Sequence, residues 1–248
     1  MNLQNNTGFS GLTSFDLKLL AMVCMLCDHM WATVVAGADW LTCVGRLAFP
    51  LFAFMIAEGY CRTHDKKKYR RRLLLWAVLS EIPFNLMAAG GLIYPFHQNV
   101  LFTFYLSLLI LGRVERAARR GRVLRWVFIA AWAALGYVLG FVTFVDYFGY
   151  GIFMVILFYI TRGLPKAWLW QLVGMVYINV HLMKGLVYPV EVLGQRFTIP
   201  QQAFALLALI PIWLYNGQQG PYNKTIRRGF YAFYPVHMLC LVLIGWLW

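Results

Sequence analysis

The chain has 248 residues, of which 61% are hydrophobic and only 12% are charged, and its mean hydropathy is +0.64. A water-soluble domain of this size carries far more polar residues, so the composition excludes that class and indicates an integral membrane protein. The formal net charge of +13 would also suit a nucleic-acid-binding protein. The positions of the basic residues, described below, explain this charge without nucleic acid, and we expect no nucleic-acid partner.

About nine apolar stretches follow one another, and most are long enough to cross a hydrocarbon core as a helix. They cover residues 15–37, 41–61, 72–90, 99–112, 123–142, 147–161, 166–187, 198–215 and 229–248. They lack the short, even alternation of a barrel strand, which favours helices. The fourth and sixth stretches are short for a core of about 30 Å. We therefore predict an all-α polytopic membrane protein, a bundle of about nine transmembrane helices that forms one domain over residues 1–248.

The basic residues predict the orientation of this bundle. Most of the 22 Lys and Arg residues follow even-numbered stretches, and the exceptions are Lys18, Arg46, Lys184 and Arg196. Because basic loops stay on the cytoplasmic side, the N-terminus is predicted to be cytoplasmic. We expect a multi-pass protein of the inner (cytoplasmic) membrane, with the lipid bilayer as its surroundings.

Two further patterns concern helix packing and metal binding. Gly136 and Gly140 form a Gly-x-x-x-Gly motif, which predicts a close contact with a neighbouring helix. Cys24 and Cys27 lie three residues apart, a spacing that could place two thiols near one metal ion. Further Cys or His residues at ligand spacing are missing from this face, so buried thiols and no metal site are expected.

The first apolar stretch carries ionisable side chains that a membrane-spanning helix usually lacks. A helix brings residues at i, i+4, i+7 and i+11 onto one face, here Lys18, Met22, Met25 and His29. A charged group at the centre of a bilayer costs about 2.5–3.5 kcal/mol. The adjacent pair Asp28 and His29 therefore requires either a partner or a function, and we interpret it as the centre of an active site.

The next polar residues lie at a comparable depth and extend this site. Glu81 is four residues before Asn85, and Asn99 is four residues before Thr103, so each pair shares a helix face. Together with Asp28 and His29, Glu81 is predicted to form a polar chamber. Asn85, Asn99 and Thr103 could equally serve as hydrogen bonds between helices.

Two charged residues near the ends of the second stretch also have structural explanations. Glu58 precedes a basic loop, with which it could form an ion pair at the membrane interface. Arg46 lies near the outer end and could neutralise Asp146 or another outer carboxylate. His237 lies near the middle of the last stretch, after Pro235, and could be either a packed or a functional histidine.

Several segments resemble, in the same order, the TraX family, which is named for the F-type pilin N-acetylase. These segments read SFDLKLLAMVCMLCDH, GRLAFPLFAFMIAEGY, SEIPFN, NVLFTF and KTIRRGFYAFYPVHMLCL. The resemblance covers most of the chain, from about Phe15 to Leu241. The family is grouped with transmembrane acyltransferases, so the resemblance implies an acyltransferase-like domain that uses cytosolic acetyl-CoA as acyl donor. It also implies a peptide, pilin-like or glycan acceptor that offers an amine or a hydroxyl.

In that wider group a basic residue in the first helix precedes an essential histidine, and Lys18 and His29 match this arrangement. A lysine cannot make the bidentate phosphate contact of an arginine. The unperturbed pKa of a histidine suits a general base near neutral pH. Asp28 is turned by about 100° around the helix from His29, so the carboxylate that orients the imidazole could instead be Glu81 or Asp16.

The predicted site has two groups of residues. The catalytic group consists of His29, Asp28 and Glu81. The substrate-binding group consists of Lys18, Asp16, Arg46, Glu58, Asn85, Asn99, Thr103 and His237. Direct transfer and an acyl-histidine intermediate both remain open. The alternative functions are a proton-coupled transporter or flippase with Asp28, His29 and Glu81 as a relay, and a non-catalytic assembly factor.

Overall fold

The computed structural model describes residues 11–183, 185–192 and 194–247. Lys184, which the topology prediction placed in an outer loop, lies outside these ranges. Within them the chain forms ten α-helices and one hairpin of two strands. The helices are α1 (Ser14–Thr33), α2 (Asp39–Gly45), α3 (Ala48–Arg62), α4 (Lys66–Ala89), α5 (Val100–Ala118), α6 (Arg122–Val142), α7 (Phe148–Thr161), α8 (Ala167–Val176), α9 (Leu209–Trp213) and α10 (Lys224–Leu247).

Two irregular helical segments and the hairpin complete the fold. A π-helical segment, Tyr177–Met183, continues α8, and a 3-10 helix, Gln201–Ala208, leads into α9. The hairpin consists of β1 (Val187–Val192) and β2 (Gln195–Pro200), which pair antiparallel.

Among the described residues, four helical segments are long and apolar enough to cross a membrane. They are Asp39–Arg62, Lys66–Ala89, Val123–Val142 and Lys224–Leu247. Helices α1 and α5 have 20 and 19 residues, but each contains several charged side chains. The mostly helical chain supports the predicted class of helical membrane protein, whereas about nine spanning helices are not confirmed.

The second and fourth predicted stretches differ from the observed helices at their ends. The stretch at 41–61 is broken after Gly45 into α2 and α3, because Pro50 lacks the amide hydrogen that a continuous helix would need and sits instead in the first turn of α3. The stretch at 99–112 continues to Ala118, because Val114 and Ala117 stay buried while the basic side chains beside them point outward. The stretch at 147–161 is short, as predicted, with 14 residues in α7.

The prediction of helix is wrong at the end of the stretch 166–187 and at the start of the stretch 198–215. Residues there form the hairpin, in which Val187 pairs with Pro200 and Val192 with Gln195. Both strands are rich in β-branched residues, which favours extended backbone, and β2 is largely exposed. The hairpin is a local departure in a chain whose mostly helical structure agrees with the predicted all-α class.

Helix α7 lies at the centre of the bundle and packs against α3, α5, α6 and α8. Its buried residues include Ile152, Met154 and Val155, which are fully enclosed. On one side α1 packs against α2, α3 and α10, and α4 packs against α5 and α10. Helices α1, α4, α5 and α10 thus meet on one side of α3, and the candidate functional site lies between them.

The Gly-x-x-x-Gly motif makes the predicted close contact, between α6 and α7. A methyl group at Gly140 would lie 2.7 Å from the Cα atom of Gly149, and one at Gly136 would lie 2.9 Å from Cγ2 of Ile152. Distances this short leave no room for a side chain, because the contact at Gly140 is with backbone atoms that cannot rotate away.

We predict that Gly140→Ala destabilises the protein by about 1–3 kcal/mol, the usual effect of overpacking a tight contact. The measurement is thermal unfolding in detergent micelles. Gly229→Ala is the matched control, because Gly229 also lies in a helix and has open space where a methyl group would go; this change should leave stability unchanged or slightly raised. Equal stability of the two variants would contradict the contact.

Candidate functional site

A cavity of 420 Å³ lies between α1, α3, α4, α5 and α10. We call it the donor cavity, because lysine and arginine side chains, which are hydrogen-bond donors, line one of its ends. One end is formed where α1, α4 and α10 begin and α3 ends, and its charged lining there consists of Lys18, Glu58, Arg62, Arg72 and Arg227. The other end is apolar or aromatic, with Met25, Phe52, Val100, Phe104 and Tyr234. The cavity thus joins a cationic mouth to the interior of the bundle.

The cationic mouth holds more positive than negative charge. Glu58 accepts hydrogen bonds from Arg62 Nε at 2.9 Å and from Arg162 Nε at 2.6 Å. Among the described residues, no ion pair involves Lys18, Arg72 or Arg227. Uncompensated cations in a partly enclosed site attract anions more strongly than they would in open water.

Part of the predicted stripe on α1 lies in the wall of this cavity. Lys18, Met22 and Met25 all line it. The Lys18 ammonium lies 5.5 Å from the ring centroid of Phe230 on α10. His29 is one helical turn beyond Met25, so it lies behind the inner end of the cavity.

His29 is paired with His237 of α10. His29 Nδ1 is 2.7 Å from His237 Nε2, and the two rings are almost parallel, with an angle of 6° and a centroid separation of 4.9 Å. The centroid separation exceeds the N–N distance by about one ring diameter, so the rings meet edge to edge, as a direct hydrogen bond requires. Tyr234, which lines the donor cavity, is 6.5 Å from the His29 ring and 5.9 Å from the His237 ring between centroids.

The backbone of α10 determines the direction of this hydrogen bond when both rings are neutral. His237 Nδ1 is 2.7 Å from the carbonyl oxygen of Phe233, and a carbonyl can only accept, so His237 Nδ1 donates. His237 Nε2 then carries a lone pair and accepts the hydrogen of His29 Nδ1. His29 Nε2 is left unprotonated, which is the state that a general base needs.

The family model described as TraX protein matches residues 14–245, a range that includes the donor cavity lining and both histidines. The chain belongs to the TraX family. A similar protein is the probable fimbrial assembly protein FimC, serogroup H1, of Dichelobacter nodosus, which is 28% identical over 96% of this chain and 97% of that protein.

Two proteins named TraX are similar over a shorter range. The protein from Escherichia coli is 27% identical, and that from Escherichia coli strain K12 is 30% identical; in each case 48% of this chain and 47% of the relative are aligned. No solved structure matches the chain.

In this TraX-family protein, Asp28 does not orient His29. The Asp28 carboxylate accepts hydrogen bonds from the Arg46 guanidinium and from the Thr42 hydroxyl, the latter at 2.6 Å. Gly45 makes room for this pair, since a methyl group there would lie 2.7 Å from Asp28 Cγ. The break between α2 and α3 thus brings the Arg46 side chain onto Asp28 instead of Asp146.

Glu81 also has a partner other than His29. Asn99 donates to Glu81 Oε2 from its side-chain amide at 2.5 Å and from its backbone amide at 3.3 Å. Asn99 Oδ1 in turn accepts from Leu101 N at 3.0 Å and caps the start of α5. Glu81 therefore holds α4 against the first turn of α5.

Three more of the predicted substrate-binding residues make structural hydrogen bonds. The Asn85 amide donates to the Leu92 carbonyl at 3.2 Å, and the Thr103 hydroxyl donates to the Asp146 carbonyl at 2.5 Å. Asp16 accepts from the amide and hydroxyl of Thr13 at 2.8 and 2.7 Å and forms a capping box at the start of α1. None of these carboxylate or amide groups reaches the histidine pair.

The loop before α5 contains a histidine that the sequence analysis did not consider. His97 Nε2 is 3.4 Å from Asp146 Oδ1, and this hydrogen bond raises the pKa of His97 above its ordinary value. Phe144, Tyr147 and Phe148, next to Asp146, have positive φ angles, which are strained for residues other than glycine. Hydrogen bonds between Gln98 and this segment hold the strained backbone in place.

The sequence analysis also missed the cations of α4 and α10 that face the cavity. Arg72 donates from Nε to the Tyr231 hydroxyl at 3.0 Å, and Tyr231 stacks on Trp76 with ring centroids 5.7 Å apart. In the sequence, Arg72 and Arg227 belong to basic clusters, which predict only the topology of the chain. Among the described residues, no group of three or more His, Cys, Asp or Glu side chains is arranged to hold a metal ion.

We predict that Asp28→Asn destabilises the fold by about 3 kcal/mol, because it leaves the partly buried Arg46 guanidinium without its counter-charge. The measurement is unfolding in detergent micelles, monitored by circular dichroism. The double change Asp28→Asn with Arg46→Gln should recover part of the loss. Glu191→Gln, at an exposed position of the hairpin, is the control, and equal stability of Asp28→Asn and this control would contradict the pairing.

Proposed function

We propose that this TraX-family protein is a membrane-embedded acetyltransferase that moves an acetyl group from cytosolic acetyl-CoA to an amine or hydroxyl of a peptide, pilin-like or glycan acceptor. One observation carries the proposal: the donor cavity leads from a cationic mouth to Met25 and Tyr234, and the Tyr234 ring centroid lies 6.5 Å from that of His29 and 5.9 Å from that of His237. Such a path suits a long, phosphate-bearing thioester whose reactive end must reach a buried base.

The two halves of the cavity match the two halves of acetyl-CoA. The nucleotide phosphates would meet Lys18, Arg72 and Arg227, which are free of carboxylate partners among the described residues. The narrow pantetheine arm would extend between methionine and aromatic side chains. The positive-inside prediction places the cationic mouth at the cytoplasmic surface, where acetyl-CoA is found.

The chemistry requires one base and no redox partner. His29 Nε2 takes the proton from the acceptor amine or hydroxyl as the acceptor attacks the thioester carbonyl carbon. The C–S bond then breaks, the acetyl group stays on the acceptor, and the protonated His29 returns its proton to the departing thiolate. Attack by His29 itself, through an acyl-histidine, is the alternative route to the same products.

His237 is a positioning residue in this mechanism. Its hydrogen bonds to His29 and to the Phe233 carbonyl keep the lone pair of His29 Nε2 available and fix the orientation of the ring. An orienting carboxylate commonly does this for a catalytic histidine. Here a second imidazole takes that place, while Asp28 and Glu81 are bonded to Arg46 and Asn99.

The partners of Asp28 and Glu81 also weigh against the alternative of a proton relay through Asp28, His29 and Glu81, since neither carboxylate is hydrogen-bonded to His29. The name of one relative, a probable fimbrial assembly protein, favours a pilin-like acceptor over a glycan. Pilin-like peptides are therefore the first acceptors to test.

We predict that His29→Ala lowers acetyl transfer by about 10²- to 10⁴-fold, the usual contribution of a general base. The measurement is the transfer of radiolabelled acetyl groups from acetyl-CoA to a pilin peptide by the purified, detergent-solubilised protein. His181→Ala is the control, because His181 is exposed on the π-helical segment. Full activity of a folded His29→Ala protein would remove His29 from the mechanism.

We predict that changes at His237 and Arg72 separate chemistry from donor binding. His237→Ala should lower kcat by about 10- to 100-fold, as the loss of other orienting groups does. The KM for acetyl-CoA should stay unchanged, because His237 does not line the donor cavity.

Arg72→Gln should raise the KM for acetyl-CoA by about tenfold through loss of a charge-assisted phosphate contact and leave kcat nearly unchanged. The reverse pattern would contradict the assignment of the two ends of the cavity.

A further inference from the structure

A second cavity, of 310 Å³, lies apart from the donor cavity, where α5 and α7 end and α6 begins. Its walls come from Val114 and Ala118 of α5, from Trp126 and Ile129 of α6, and from Tyr159 at the end of α7. These side chains are apolar or aromatic, so the cavity would be a poor site for a small, fully hydrated ion.

One nitrogen atom of a cation that lines the second cavity has no hydrogen-bond partner among the described residues. Arg125 Nε is buried and has no hydrogen-bond partner among the described residues, and its guanidinium lies 5.1 Å from the Trp126 ring centroid. Arg162 lines the same cavity, and its Nε is already bonded to Glu58. No acidic side chain is found among the described residues that line the cavity. A buried donor left unsatisfied is unfavourable, so Arg125 is suited to an anion that enters from outside.

The position of the second cavity restricts what that anion can be. The positive-inside prediction places these helix ends at the cytoplasmic surface of the membrane, which is the depth of lipid headgroups. Val123 and Val127 of α6 are exposed beside the cavity, and they offer an apolar surface to an acyl chain. Basic pockets between membrane helices on the cytoplasmic side are typical sites for anionic headgroups.

We propose that the second cavity binds an anionic phospholipid of the cytoplasmic leaflet, whose headgroup phosphate accepts hydrogen bonds from the Arg125 guanidinium. One acyl chain lies along the exposed face of α6. A free phosphate would share the contact with Arg125 but not the contact with α6. The site is independent of the acetyl-transfer proposal, because its lining shares no residue with the donor cavity.

The experiment is native mass spectrometry of the full-length protein in detergent, titrated with phosphatidylglycerol and, separately, with phosphatidylcholine. Arg125→Gln should weaken phosphatidylglycerol binding by about tenfold. Arg125→Lys, which keeps the charge but loses Nε, should give an intermediate affinity. The matched control is Arg71→Gln, which removes the same charge from an exposed position of α4 and should change the affinity less than twofold.

Three results would overturn the proposal. The first is equal phosphatidylglycerol affinity in Arg125→Gln and Arg71→Gln, and the second is equal binding of phosphatidylcholine and phosphatidylglycerol by the unaltered protein. The third is displacement of phosphatidylglycerol by a large excess of inorganic phosphate, which would assign the cavity to a soluble anion. Because the readout is lipid binding, none of these results depends on acetyl transfer.

Discussion

The hydrogen-bonded chain from the Phe233 carbonyl through His237 to His29 is the interaction on which the site depends. It joins α1 to α10, two helices from opposite ends of the chain, with residues 208 positions apart in direct contact. The backbone carbonyl fixes the proton on one ring, and that ring fixes the proton on the other. When both rings are neutral, a backbone atom thus decides which nitrogen of His29 keeps an unprotonated lone pair.

The charged and polar residues of the bundle fall into two groups with different partners. Asp28, Glu81 and Asp16 are bonded to Arg46, Asn99 and Thr13, which hold helix ends and loops in place. Among the described residues, Lys18, Arg72 and Arg227 at the donor cavity form no ion pair, and Arg125 Nε at the second cavity has no hydrogen-bond partner. Buried polar groups in proteins are usually satisfied, so the unsatisfied ones indicate where ligands belong.

Helix geometry explains which site predictions could be made from local sequence. The stripe of Lys18, Met22 and Met25 follows from the helical period alone, and the Gly140 contact follows from the small residues that such contacts need. The same period turns Asp28 by about 100° from His29, which predicts that the partner of Asp28 is a residue other than His29. It could not identify Arg46 as that partner, because the break before α3 that turns Arg46 toward Asp28 depends on packing as well as on Pro50.

Composition and apolar segment length by themselves determined the membrane class, and ordered motifs determined the family resemblance, because both are properties of a linear chain. Only the tertiary structure decided that residues 187–192 and 195–200 pair as a hairpin, that Glu81 is bonded to Asn99, and that His237 is the partner of His29. Each of these depends on which segments become neighbours after folding. A helix period defines a face of a helix, but the packing of the whole bundle decides what that face meets.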